Sequence, residues 1–400
     1  KIISNLDNSY IYIQGPPGTG KTYQASNAII QLLKQNKKIG ITGLSHKVIH
    51  NLLQRVEEMA KEKQFNFDGY KRGNLEDEDT VFNGEFIKTF EKDPVFMDAL
   101  KEKDVGQIFA GTKYHLASTF YDQKIDYLFI DEAGQISLAD LISIGNIAKN
   151  IILIGDQNQL GQPIKGTHPN NSGQSILDYL LEGKDTIPDD RGIFLNKTYR
   201  LNSKLNEFIS SNFYEERLIC DGRTDKRIIK FNNKSLIKND GIHYIEMRHK
   251  NNVQTSIEEF EVVRDLMKEM IGSEFDDNGN KRKLNTEDFL IISPYNTQVN
   301  LLISKLEEAK IKNPRVGTID KFQGQEAPIT IISMTSSDSD SLPRNREFFF
   351  SRNRLNVAIS RAQVASIILF NPLLLDSSPK NLDHIKLMNN FFKLLNFKKN

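Results

Sequence analysis

Short, almost wholly apolar runs recur along the chain: YIYI at 10–13, KIGIT at 38–42, QIFA at 107–110, DYLFI at 126–130 and NIILI at 150–154, then IHYIE at 242–246, FLIIS at 289–293, ITIIS at 329–333 and SIILF at 366–370. They lack the alternation of a half-exposed strand, so they predict strands covered on both faces, as in parallel sheets. Longer stretches between them, such as YQASNAIIQLL at 23–33, place apolar residues at helical spacing. The repeated strand–helix order predicts an α/β fold of parallel sheets flanked by helices. Nine strand candidates exceed what one sheet usually holds, and 400 residues exceed one ordinary domain. The pattern breaks at Pro188-Asp-Asp-Arg-Gly192, which puts a hinge near 190–197 and predicts domains over 1–195 and 196–400.

Charge refines that picture. Residues 57–105 are dense in Glu, Lys and Asp, including Glu76-Asp-Glu-Asp79, and are expected to form a helical insertion with a solvated face. Two polar stretches, 277–283 and 336–341, read as loops. Lys and Arg number 23 against 26 Asp and Glu in residues 1–200, and 30 against 26 in 201–400. Near-neutrality in both halves argues against a protein that grips nucleic acid mainly by releasing counterions, while leaving room for local contacts in a cleft. The single Cys220 cannot form an internal disulfide, and no His/Cys spacing suits zinc or an iron–sulfur cluster. A reducing, cytoplasmic setting is therefore expected. No apolar run approaches the ~20 residues of a membrane helix. The sequence starts on Lys-Ile-Ile-Ser-Asn without Met and is expected to be part of a longer chain.

Candidate chemistry begins at Gly15-Pro16-Pro17-Gly18-Thr19-Gly20-Lys21-Thr22, between the strand YIYI and the helical run that follows. A glycine-rich turn there brings backbone N–H groups and a helix N-terminus around phosphate oxygens. Pro16 and Pro17 have no N–H, so the donors fall to residues 18–22. Lys21 supplies a point charge and Thr22 a hydroxyl for Mg²⁺. The strand DYLFI ends in Asp131-Glu132, where Asp131 is expected to serve Mg²⁺ and Glu132 to orient the attacking water. An acidic helix start is the plainer alternative. After NIILI comes Gly155-Asp-Gln-Asn-Gln159, and an amide just past a strand tip can sense a γ-phosphate, a role expected of Gln159. Alone, that segment is only a polar turn.

Together with LNKTYRLNSKLNEFISSNFY (195–214), SPYNTQ (293–298), VGTIDKFQGQE (316–326) and RLNVAISRA (354–362), the segments GPPGTGKT, DEAGQ and GDQNQL resemble superfamily 1 helicases in sequence and in order. The likeness is to the branch that includes the nonsense-mediated decay helicase and the replication helicase-nucleases. It implies two tandem RecA-like P-loop domains with ATP bound between them. Arg361 would then be an arginine finger and Arg200 a second such group, Glu326 would bind the ribose, and Tyr199 would lie near the base. The resemblance also places Ser45, His46, Thr112, Tyr295 and Thr318 on a nucleic-acid track. Plainer roles fit too: helix caps for Ser45 and Thr318, a core aromatic for Tyr295. Arg354 fits a surface ion pair as well as a finger.

The function implied is an ATP-dependent translocase or helicase on single-stranded nucleic acid, DNA by preference, moving 5′ to 3′ and acting as a monomer. The alternative is a nucleotide-switched clamp that does not move processively; a P-loop switch with a protein partner would leave RLNVAISRA unexplained. Departures from the family pattern are Gly161-Gln162-Pro163, where a tighter Gln-Leu-Pro-Pro is common, and Pro328 in place of an acidic residue. The glutamine motif that reads adenine is expected upstream of Lys1. IGITGLSHKVIHNLL further resembles bacterial proteins in which a RecB-like nuclease precedes this motor, so a nuclease is expected upstream too. Glu308-Ala-Lys310 has the letters of a nuclease motif but the period of a surface helix.

Overall fold

The computed structural model describes residues 2–161, 168–231, 236–338 and 351–376, with residues 385, 389, 391–395 and 397. Gln162, Pro163 and the part of the 336–341 loop after Asp338 lie outside the described residues. The chain divides into two units, Lys1–Gln157 with Gly161–Leu195, and Asn158–Leu160 with Asn196–Asn400.

Unit 1 is built on strands β1 (Tyr10–Gln14), β2 (Lys38–Thr42), β3 (Asp68–Arg72), β4 (Ile87–Phe90), β5 (Gln107–Ala110), β6 (Ile125–Ile130), β7 (Ala148–Gly155) and β8 (Gly192–Phe194). They form one sheet in the order β4-β3-β5-β2-β6-β7-β1-β8, parallel throughout. Side chains alternate across a strand, so Ile11 and Ile13 of β1 join the core with residues of α1 (Lys21–Leu33) and α2 (His46–Glu62), while Tyr12 joins the core on the other side.

Residues 57–105 depart from the helical insertion expected of them. They supply β3 and β4 to the sheet, with helix Asp93–Lys101 between β4 and β5. The charge density misleads because two of the charges face inward. Buried Glu57, on α2, accepts N–H bonds from Glu85, Phe86 and Ile87 and so aligns the start of β4. Buried Lys71, on β3, donates to the Thr80 carbonyl and lies 3.0 Å from His46 Nδ1.

Unit 2 contains β9 (Lys197–Thr198) and β10 (Ile219–Cys220) as a parallel pair, then β11 (Arg227–Ile229), β12 (Gly241–Glu246), β13 (Glu274–Asp277), β14 (Asn280–Lys283), β15 (Phe289–Ile292), β16 (Val316–Gly317), β17 (Ala327–Ser333) and β18 (Ala362–Phe370). β11, β13 and β14 make a small antiparallel sheet. The main sheet is parallel, in the order β12-β18-β17-β15-β16. Each of the nine apolar runs read from the sequence falls on a strand of one of the two large sheets, with only Ser293 of FLIIS lying past the end of its strand.

Unit 2 also buries polar groups at the end of β17. Glu259, fully buried, accepts the Thr335 N–H with both oxygens (3.0 Å each) and the Ser333 hydroxyl at 2.6 Å. His249 Nε2 lies 3.1 Å from Glu259 Oε1, and His249 Nδ1 lies 2.8 Å from Ser337 Oγ. Thr335 has φ +71°, a left-handed backbone that a β-branched residue rarely adopts. The buried acceptor helps to hold that turn in place. No helix among the described residues is long and apolar enough to cross a membrane.

Candidate nucleotide and nucleic-acid sites

The loop after β1 is shaped by its glycines. Gly15 donates its N–H to the Gly155 carbonyl at the end of β7 (2.9 Å), and a Cβ at Gly15 would stand 2.1 Å from Lys21 Cγ. The Lys21 ammonium donates back to the Gly15 carbonyl at 2.5 Å, curling over the loop. Gly18 and Gly20 have φ of +72° and +77°, a region glycine enters without penalty. Gly20 is also the cap residue of α1, so no side chain occupies the helix N-terminus, where an anion is favoured. Thr19 closes the turn by donating to the Pro16 carbonyl at 2.8 Å. Pro17 completes the loop, and Thr22 lies in the first turn of α1. These features fit a triphosphate: a wall without Cβ, a capless helix start and an ammonium at the rim.

Asp131 follows the last residue of β6 and is buried, and Glu132 after it takes φ +53°. The left-handed residue ends the strand's alternation where the acids begin. Burial, and next the charge of Glu132, push the Asp131 carboxyl up to about 7. The Glu132 N–H at 2.9 Å and the nearby Lys21 charge pull it back. The ends of β6 and β7 meet at Gly155, where a Cβ would stand 3.0 Å from Ala133 N.

The two glutamines of GDQNQ part company. Gln157 Oε1 accepts from the Tyr12 hydroxyl (2.9 Å) and from Gln14 Nε2 (3.0 Å), and Gln157 Nε2 donates to the Asp185 carbonyl (2.6 Å). That is a half-buried brace of unit 1 on the buried side chains of Tyr12 and Gln14, and nothing local in the sequence points to it. Gln159 belongs to unit 2, where its carbonyl accepts from Asn353 Nδ2 at 2.7 Å. Asn356 Nδ2 donates to the preceding carbonyl, that of Asn158, at 2.8 Å.

Arg200 and Arg361 share one neighbourhood of unit 2. Arg200 donates to Glu326 and to the Ser360 carbonyl (3.2 Å), while Arg361, 3% exposed, donates to the Gln325 carbonyl (3.4 Å). The Glu326 carboxyl is raised by burial, but the Arg200 charge and its hydrogen bond outweigh this and hold it below the usual range. Tyr199 is exposed, with the Arg223 guanidinium 5.4 Å from its ring centre. Arg354 pairs with Asp320 at 3.1 Å.

Ser45 caps α2, accepting the Val48 N–H at 3.4 Å. His46 begins that helix; burial, then the Lys71 charge, lower its pKa. His46 and Thr112 line one cavity of about 540 Å³ in unit 1. In unit 2 the Tyr295 ring is buried and Thr318 lines a small apolar cavity with Met334 and Arg354. The sequence-derived track residues thus fall in both units.

Comparison with known proteins decides the family. One AAA-domain model matches residues 1–164 and a second matches residues 173–372, half of the chain. The chain belongs to the superfamily 1 helicases. This is a family of ATP-hydrolysing enzymes. Among its relatives, the DNA replication ATP-dependent helicase/nuclease dna2 of Schizosaccharomyces pombe is 29% identical over 94% of this chain and 27% of its own length. DNA polymerase alpha-associated DNA helicase A of Saccharomyces cerevisiae is 25% identical over 92% of this chain and 63% of its own. RNA helicase Mov10l1 of Mus musculus is 26% identical over 91% and 33%. The chain therefore spans between about a quarter and two thirds of these helicases.

Proposed function

We propose that this chain is the motor of an ATP-driven translocase that moves 5′ to 3′ along single-stranded DNA and separates strands ahead of it. One observation carries the reading: unit 1 holds a phosphate loop beside buried Asp131 and half-buried Glu132, and unit 2 holds two arginines that donate to carbonyls 325 and 360. In this reading Gly15 to Thr22 hold the triphosphate, with Lys21 on its oxygens. Mg²⁺, when bound, would rest on Thr22 and Asp131 and supply positive charge against those oxygens. Glu132 orients water, Gln159 follows the γ-phosphate, and Arg200 and Arg361 neutralise the charge that develops as it leaves. Tyr199 and Glu326 meet the base and ribose. For Glu326 that means giving up part of its pairing with Arg200.

Ser45, His46, Thr112, Tyr295 and Thr318 touch the strand without reading its sequence. DNA rather than RNA is supported by the DNA helicase names of two of the relatives. The proposal includes a monomer with domains over 1–195 and 196–400 in a reducing, cytoplasmic setting, within a longer protein that carries a nuclease upstream.

The test is ATP turnover with and without single-stranded DNA or RNA, together with displacement of streptavidin from either strand end. DNA-stimulated turnover with displacement from the 3′ end is expected. No stimulation by any nucleic acid refutes the motor, and stimulation without displacement refutes processive movement in favour of a clamp.

A further inference from the structure

Beside the phosphate loop's unit 1 sheet, the short helix Lys113–Leu116 has two opposite sides. His115 and Leu116 face inward: the His115 ring packs 4.8 Å from Phe96 and 5.2 Å from Tyr121, its Nε2 lies 2.6 Å from the Tyr121 hydroxyl, and Leu116 is fully buried. Tyr114 faces outward and is 82% exposed, more than any other exposed large apolar side chain among the described residues. Single exposed aromatics are ordinary on protein surfaces. This one stands on a helix locked from behind, at the rim of the 540 Å³ cavity. The Lys113 ammonium lies 5.3 Å from its ring centre and is tied to Asp140 at 2.6 Å, so the cation beside the ring is itself held.

The cavity's chemistry selects what could rest there. Thr112 and Ser118 flank the helix and line the cavity, and neither hydroxyl caps the turn that follows it. Glu91 and Asp93 also line it. Asp93 is paired with Arg72 at 3.1 Å, and Glu91 accepts the Leu75 N–H. Arg72 lines the cavity too and offsets Asp93, so Glu91 leaves the lining with a net negative charge, which disfavours a phosphate but accepts from the edge of a neutral base. A planar, uncharged, hydrogen-bonding ring therefore fits better than an anion.

We propose that Tyr114 is a stacking platform for an unpaired nucleobase, whose edge enters the cavity between Thr112 and Ser118. This rests on the reading of the chain as a single-strand motor and adds to it a contact with a base, shared by Tyr114 and Thr112, while Ser45, Tyr295 and Thr318 would meet the backbone. Aromatic stacking is the usual way to hold bases without reading them.

The experiment compares binding of a mixed-sequence single-stranded 20-mer with an abasic 20-mer of the same sugar–phosphate length, in wild type, Tyr114→Ala and Tyr114→Phe, by fluorescence anisotropy. Wild type should prefer the strand with bases. Tyr114→Ala should weaken binding of that strand roughly 5- to 150-fold and leave the abasic strand unchanged; Tyr114→Phe should match wild type. Equal binding by Tyr114→Ala and wild type, or equal loss on both strands, overturns the platform alone. Failure of wild type to bind either strand overturns the motor reading and the platform with it. Thermal melting of Tyr114→Ala checks folding.

Discussion

Replacing Glu259 by Gln keeps the shape of a buried side chain and removes its charge. In the native unit the two oxygens serve Thr335 N–H, the Ser333 hydroxyl and, with the proton on Nε2, His249. Gln offers one oxygen and one NH₂ group, so at least one donor then faces another donor. A hydrogen bond to a charged group contributes about 1–1.5 kcal/mol more than a neutral one. Three such bonds, at full burial, put the loss near 3–4 kcal/mol, within the range of about 3–5 kcal/mol for breaking a buried charged pair. At roughly 2–4 °C per kcal/mol for a unit of this size, the unfolding transition of unit 2 should fall by roughly 6–16 °C. Scanning calorimetry reads it directly. A shift under about 2 °C would show that the Thr335 turn holds itself, and that the network is not what stabilises it.

Other perturbations test the nucleotide site and the sheet. Gly15→Ala places a Cβ 2.1 Å from Lys21 Cγ; the lysine must leave its carbonyl, and fluorescent-nucleotide titration should show affinity at least about tenfold weaker. Arg361→Ala should still bind nucleotide yet lose about 10³ to 10⁵ in kcat, and wild-type-like turnover would remove Arg361 from the reaction. Burial, then the Arg72 charge, push His115 down to about 4. Its ordinary value is near 6.5, so the unfolded chain takes up the proton first. Stability from this group is complete above about pH 6.5 and is lost as pH falls toward 4, by at most about 3 kcal/mol. His115→Gln should flatten melting temperature against pH over that window, and an unchanged slope would refute the assignment.

Strands legible in the sequence are those whose burial shows as an unbroken apolar run. β3 and β4 escape because DGYKR and IKTF carry charges, and nothing local says that Lys71 turns inward to the Thr80 carbonyl while Lys88 does not. Glu57 illustrates the same blindness: a helical glutamate looks solvated until the three N–H groups it serves, some thirty residues on, are folded against it. The phosphate loop is legible because its chemistry is local, eight consecutive residues that run from the end of one strand into the first turn of one helix. Gln157 and Gln159 look interchangeable in GDQNQ, and only tertiary partners from residues 12, 14, 185 and 353 tell them apart. Tyr114 leaves no mark in a pattern of apolar positions, since its exposure is decided by what packs behind His115.

The three residues Asn158–Leu160 have a practical bearing on dissection. A truncation ending at Leu195 would carry the carbonyls of 158 and 159 away from the amides of Asn356 and Asn353, and would leave the Phe213 carbonyl without the Asn158 amide that reaches it at 2.7 Å. Neither half cut at that seam inherits a whole set of its own hydrogen bonds. A severed first half that binds nucleotide poorly would therefore say little about the loop at Gly15.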